Sequence, residues 1–104
     1  MTTTAHSVTV VVPGTHLLAE LLGQRDANVR RIEDAFPDVA VSVRGNEVAL
    51  SGPRAHQVGR LFEEMVLLLQ RGERLDQSVM DRSIVMVRAE QRPSTVLTDD
   101  ILKG

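Results

Sequence analysis

The stretch 39–51 constrains this chain more than any other. Val39, Val41 and Val43 alternate with Ala40, Ser42 and Arg44; Gly45-Asn46 interrupts; Val48 and Leu50 then alternate with Glu47, Ala49 and Ser51. Period-two alternation sends the apolar side chains of each run to one face. A Gly-Asn pair between two such runs predicts a two-residue β-hairpin. The register follows from the pattern. With Arg44 opposite Glu47, Val43 faces Val48 and Val41 faces Leu50, and every apolar residue shares a face; a slip of one residue would scatter them. Arg44 and Glu47 are then placed for an exposed ion pair. A hairpin with one apolar face is not stable alone, so the rest of the chain must cover it.

Residues 7–12 hold four valines and read as a strand, buried on both sides or an edge covered by a neighbour. Pro13-Gly14 ends it. Thr15 is placed to cap a helix over 16–22, with Leu17, Leu18, Leu21 and Leu22 on one face, and Gly23 stops that helix. Asp26 is placed to cap a second helix over 27–36, its carboxylate accepting from the first-turn N–H groups. Val29, Ile32 and Phe36 form the stripe of that helix, and Pro37 forces its exit. Gly52-Pro53 opens the longest helix, whose inner stripe is Ala55, Val58, Phe62, Met65 and Leu69, widened by Leu61 and Leu68. Val66 and Leu67 extend the apolar arc beyond what one sheet needs and point to a second partner, such as the segment that follows. That segment, 76–89, reads as a helix capped by Asp76 with Met80, Ile84 and Val87 on one side, although Ile84-Val85-Met86-Val87 also fits a strand. Residues 91–94 look like a linker, and the tail beyond carries the apolar pair Ile101-Leu102.

Several functions are excluded at this level. Without cysteine there are no disulfides, no thiol catalysis and no thiolate metal site. The G-x-x-x-x-G-K-[ST] loop that cradles nucleotide phosphates is absent, as is any legible Ser/His/Asp arrangement, so the chain alone is expected to be no enzyme and to have no catalytic residues. His16 and Glu20, at i and i+4, offer two ligands where a metal site needs more. A net charge of −2 gives no global basic field, and Phe36 and Phe62 are the only aromatics, which removes base-stacking platforms. Any RNA binding must be local and weak. No apolar run reaches the ~18 residues of a membrane span and the start lacks a basic leader, so a cytoplasmic protein without membrane contact is expected.

The order strand, helix, Gly-x-x turn, helix, strand, tight turn, strand, long helix resembles a type I KH domain. That likeness implies an α+β fold, β-α-α-β-β-α, with a three-stranded antiparallel sheet, helices on one face, and here an added C-terminal helix. The segments His16-Leu17-Leu18-Ala19-Glu20-Leu21-Leu22-Gly23 with Asp26-Ala27-Asn28-Val29-Arg30, Val43-Arg44-Gly45-Asn46-Glu47, Leu61-Phe62-Glu63-Glu64-Met65 and Val96-Leu97-Thr98-Asp99-Asp100-Ile101-Leu102 resemble, in that order, the N-terminal KH-like domain of actinobacterial PhoH-family proteins. The resemblance implies a KH-like domain over 1–75, a helical extension over 76–90, and a linker over 91–104 leading to a P-loop ATPase domain absent from this sequence. It implies an accessory role, weak binding of single-stranded RNA or ribonucleoprotein, within an ATP-dependent protein of RNA metabolism associated with phosphate starvation. ATP and Mg would belong to the ATPase domain, the partner in cis, and oligomers would form through the full-length protein; no cofactor is expected here. The alternative is a docking module that packs on the ATPase domain or a neighbouring subunit without touching RNA, for which Val66, Leu67 and Ile101-Leu102 offer surplus apolar surface.

The same likeness implies where RNA would lie. KH domains hold the nucleic-acid backbone at a helix–Gly-x-x–helix joint, here Gly23-Gln24-Arg25-Asp26. Gly23 and Gln24 would bring backbone amides, Arg25 would be the principal phosphate ligand, and Arg30 and Arg44 would flank the groove. Asp26 stands where KH loops have glycine, and its carboxylate would repel a phosphate and compete for the same donors. The short Gly45-Asn46 turn also leaves little of the variable loop that closes the far side of such grooves. The joint therefore has two readings, a packing hinge or an RNA contact.

Overall fold

In the computed structural model, which describes residues 7–90, the valine alternation produces the hairpin. β2 (Ala40–Arg44) pairs antiparallel with β3 (Glu47–Ser51), Val43 opposite Val48 and Val41 opposite Leu50. Arg44 lies opposite Glu47 in that register, yet the two side chains form no ion pair. At an exposed turn the Coulomb gain is small and is offset by the entropy of fixing two long side chains.

β1 (Ser7–Val11) pairs antiparallel with the other side of β3, giving the strand order β1-β3-β2. Rungs of Val8, Leu50 and Val41, and of Val10, Val48 and Val43, share one face; Thr9, Ala49 and Ser42 share the other. The second face is exposed, and Val11, which belongs to it, is 61% exposed. Among the described residues β1 is thus an edge strand with one open face, neither buried on both sides nor covered by a neighbouring element. Its valine run misleads because Val11 occupies an outward position of an alternating strand.

Helices fill the inner side of this α+β fold. They are α1 (Thr15–Leu22), then after a single 3-10 turn (Gln24–Asp26), α2 (Ala27–Ala35), α3 (Ala55–Gln70) and α4 (Gln77–Arg88). Ala55, Val58, Leu61, Phe62, Met65, Leu68 and Leu69 of α3 are all buried, the stripe that the 3.6-residue period requires. Gly59 lies on the same helix where a Cβ would come within 2.8 Å of Val8 Cγ1, so glycine lets α3 approach the sheet closely. Pro53 precedes α3 in a turn and is not part of it. α2 ends at Ala35, leaving the fully buried Phe36 as its non-helical C-cap ahead of Pro37.

Arg54 and Arg88 place their guanidinium carbons 5.1 and 4.9 Å from the centre of the Phe36 ring, cation–π contacts from two different elements. Arg54 also pairs with Asp38 at 2.8 Å, and its hydrogen bond holds the Asp38 carboxyl below the usual carboxylate range. α4 is capped by Asp76, whose Oδ1 accepts from the Val79 amide at 2.8 Å, and it adds Met80, Ile84 and Val87 to the common core. Arg31 of α2 reaches Asp81 of α4 at 2.7 Å, and Arg88 donates to the carbonyl of Ala35. Val66 and Leu67 border a depression beside β1, together with Val10 and Val11.

Two expected caps are replaced. Gly14 holds the N-cap position of α1, so Thr15 is already helical and its hydroxyl makes no capping bond. Asp26 precedes α2 in left-handed backbone (φ 59, ψ 30) and its carboxylate makes no capping bond. A capping side chain reaches the first-turn amides from extended backbone; left-handed backbone aims it elsewhere. The expected linker and tail, 91–104, and the start, 1–6, lie outside the described residues. Among the described residues no helix is long and apolar enough to cross a membrane.

Candidate nucleic-acid groove

The joint between α1 and α2 is built from both sides. The Gly23 amide donates to Ala19 O at 3.1 Å, closing α1, and the Asp26 amide donates back to Gly23 O at 3.2 Å. Asn28, in the first turn of α2, sends Nδ2 to the carbonyls of Leu21 (3.1 Å) and Glu20 (3.4 Å), which the end of α1 leaves without helical partners. The amide of Ala27 is likewise taken, by Gln24 O. Arg25 (φ 54, ψ 33) and Asp26 are consecutive left-handed residues, a conformation that disfavours side chains other than glycine by roughly 1–2 kcal/mol per residue. Two of the amides nearest the turn, those of Asp26 and Ala27, are therefore engaged inside it.

A groove of about 390 Å³ opens beside the joint, between α2 and β2. Leu22, Val29, Val41 and Val43 form its aliphatic floor, and Asp26, Arg30 and Glu33 its polar rim. Val29, Arg30 and Glu33 fall at i, i+1 and i+4 on the face that α2 turns to the groove, and Asp26 joins them from the preceding turn. Val41 and Val43 come from alternate positions of β2, where the sheet's inner face runs out from under the helices; Val43 is 39% exposed. The rim is mixed in sign, one guanidinium against two carboxylates. Arg30 and Glu33 make no hydrogen bond or ion pair with a described residue.

Of the RNA ligands expected from sequence, only Arg30 lines this groove, together with Asp26, the residue expected to oppose a phosphate. Gly23 and Gln24 line a second depression of about 480 Å³ on the other side of the joint, with Ala19, Glu20, Asn28, Leu69, Arg74 and Leu75. Arg25 is exposed on the turn itself. Arg44 follows Val43 by one residue in β2, so alternation directs it to the open face of the sheet, away from the groove floor. Nothing in the sequence marks the floor as exposed, since an aliphatic residue at the right period reads as core whether or not a helix covers it. Among the described residues no three His, Asp or Glu side chains converge to hold a metal ion. Comparison with known proteins finds no match: no family model fits the chain, and no curated protein and no solved structure is significantly similar to it.

Proposed function

We propose that this chain is a KH-like accessory domain of the PhoH type, which holds single-stranded RNA weakly in the groove between α2 and β2. It serves an ATPase domain elsewhere in a cytoplasmic protein of RNA metabolism. It performs no catalysis itself, and ATP and Mg belong to the ATPase domain. The path β-α-α-β-β-α, the strand order β1-β3-β2 and the Gly-x-x joint support the type I KH reading. The observation that carries the RNA reading is the groove itself: an aliphatic floor on which unstacked bases can lie, between the helix joint and the edge strand β2. Arg30 on the rim and Arg25 on the turn supply the phosphate contacts.

Titration of a labelled ten-nucleotide single-stranded RNA at low salt tests this. Binding is expected in the high micromolar range, weakening as salt rises because counterions are released from the few phosphates contacted. Arg30→Glu should weaken it by about tenfold or more, roughly 1.4 kcal/mol. Affinity indifferent both to salt and to Arg30→Glu overturns the reading.

A second reading, a docking module that binds protein and not RNA, is favoured by the other edge of the sheet. There Val11 is 61% exposed and lines, with Val10, Val66, Leu67, Glu63 and Glu64, a depression of about 300 Å³. β1 carries no charge and no proline to blunt pairing. A chain that sediments as a monomer at all concentrations and binds RNA counts against this second reading.

A further inference from the structure

Glu33 puts a carboxylate on the rim of a groove proposed to hold a polyanion. It is half-buried, lies three residues after Arg30 on the same helical face, and has no partner among the described residues. Such a group opposes an RNA ligand unless the ligand brings it a hydrogen-bond donor, because an ionised carboxylate only accepts. Building on the RNA reading above, we propose that Glu33 makes the groove selective for guanine.

The argument is one of donor count. A carboxylate offers two parallel acceptor oxygens. On a splayed single-stranded base, recognition falls on the Watson–Crick and Hoogsteen edges. Only guanine presents two donors side by side on its Watson–Crick edge, N1–H and the N2 amine, and these match the two oxygens. Adenine and cytosine place one amine beside a ring-nitrogen acceptor, which would turn a lone pair toward the second oxygen. Uracil sets its single N–H between two carbonyls. A site built to receive two donors rejects ligands that lack one, since its own polar atoms are then left unpaired. Guanine O6 lies next to N1–H, and Arg30, on the same wall one turn back, is the donor available to it. The face of the base rests on Val29, Val41 and Val43. Glu33 lies six residues, or about 9 Å, beyond the first residue of α2, and Asp26 precedes that residue, so the two carboxylates do not compete for one base.

The test is fluorescence anisotropy of the whole chain at low salt against four ten-nucleotide probes: oligouridylate, and the same strand with one central guanosine, inosine or adenosine. The guanosine strand should bind about tenfold more tightly than oligouridylate. Inosine, which keeps N1–H but lacks the N2 amine, should fall between them, and adenosine should bind less tightly than guanosine. Glu33→Gln, whose amide pairs one acceptor with one donor, should melt like the parent and bring guanosine within about twofold of oligouridylate. Equal affinity for the guanosine strand and oligouridylate, or a guanosine preference that survives Glu33→Gln, overturns the inference and leaves the RNA reading standing. Failure to bind any of the four overturns both.

Discussion

The hairpin turn and the helix joint reverse the chain in about the same number of residues, by opposite means. At Gly45-Asn46 the positive φ falls on glycine alone (φ 55), the residue for which it costs least. The turn is then tied down by its own side chain: Asn46 Nδ2 donates to Val12 O at 3.1 Å while Val12 N donates to Asn46 O at 2.8 Å. At the joint, positive φ falls on Gly23, Arg25 and Asp26, and no capping bond from Asp26 compensates. What holds the joint is tertiary, namely Asn28 reaching back to α1 and the buried Leu21 and Ile32 fixing the two helices. The hairpin thus adopts what its residues prefer, whereas the joint is held against preference. Backbone of the second kind collects at functional sites, where surrounding structure over-determines it, and here it borders the groove.

One substitution made at both turns gives the sharpest contrast. Gly23 (φ 80, ψ 172) occupies a region open essentially to glycine alone, worth ~1–3 kcal/mol if violated. An added Cβ would also lie 3.0 Å from Asn28 Cγ and Nδ2, displacing the staple and about 1 kcal/mol with it. Gly23→Ala should therefore cost about 2–4 kcal/mol. Gly45→Ala meets nothing within 4 Å and bears only the left-handed cost of about 1 kcal/mol. At ~4–8 °C per kcal/mol for a domain of this size, thermal melts separate the two cleanly. Equal losses would mean that the joint is no more constrained than the hairpin.

The same contrast explains what could be read from sequence. The hairpin register was legible because alternation and turn chemistry agree, and a wrong register would have exposed Val41 and Val48. The stop at Gly23 was legible for a similar local reason. The conformation of Asp26 was not: an aspartate ahead of a helix has a strong local preference to cap it, and only the positions of α1 and α2 overrule that. Thr15 failed likewise, by one residue. In the groove, Arg30 followed from helical spacing, but Leu22, Val29, Val41 and Val43 carry no mark distinguishing a partner's surface from the domain's own core. Arg44 could have been set aside at once, because the parity that pairs it with Glu47 also turns it from Val43.

A second pair of variants asks whether each asparagine serves its own turn. Asn28→Ala and Asn46→Ala each remove side-chain hydrogen bonds to backbone and should cost about 1 kcal/mol. They should differ in where they act. Asn28→Ala should speed amide exchange across residues 23–27 and weaken RNA, because the groove is anchored at that end. Asn46→Ala should do so around the hairpin turn and leave RNA affinity alone. Loss of RNA affinity in both variants would show that the turns are coupled through the sheet.

The smallest effect has the opposite sign. Asp26→Gly relieves left-handed backbone, by less than the ~1–2 kcal/mol of a typical residue since aspartate tolerates it better than most. It also adds unfolded-chain entropy worth ~0.5–1 kcal/mol. The net is a gain of up to about 0.5 kcal/mol, two or three degrees in the melt. The charge tells more. Asp26→Gly also removes a carboxylate from the groove rim, so RNA should bind several-fold more tightly. Asp26→Asn separates the causes, because asparagine accepts left-handed backbone about as readily as aspartate and carries no charge. It should leave the melt where it was and recover most of the affinity gained by glycine. If asparagine and aspartate bind RNA equally while glycine binds better, the turn's conformation and not its charge limits the groove, and the joint's strain is then opposed to RNA binding.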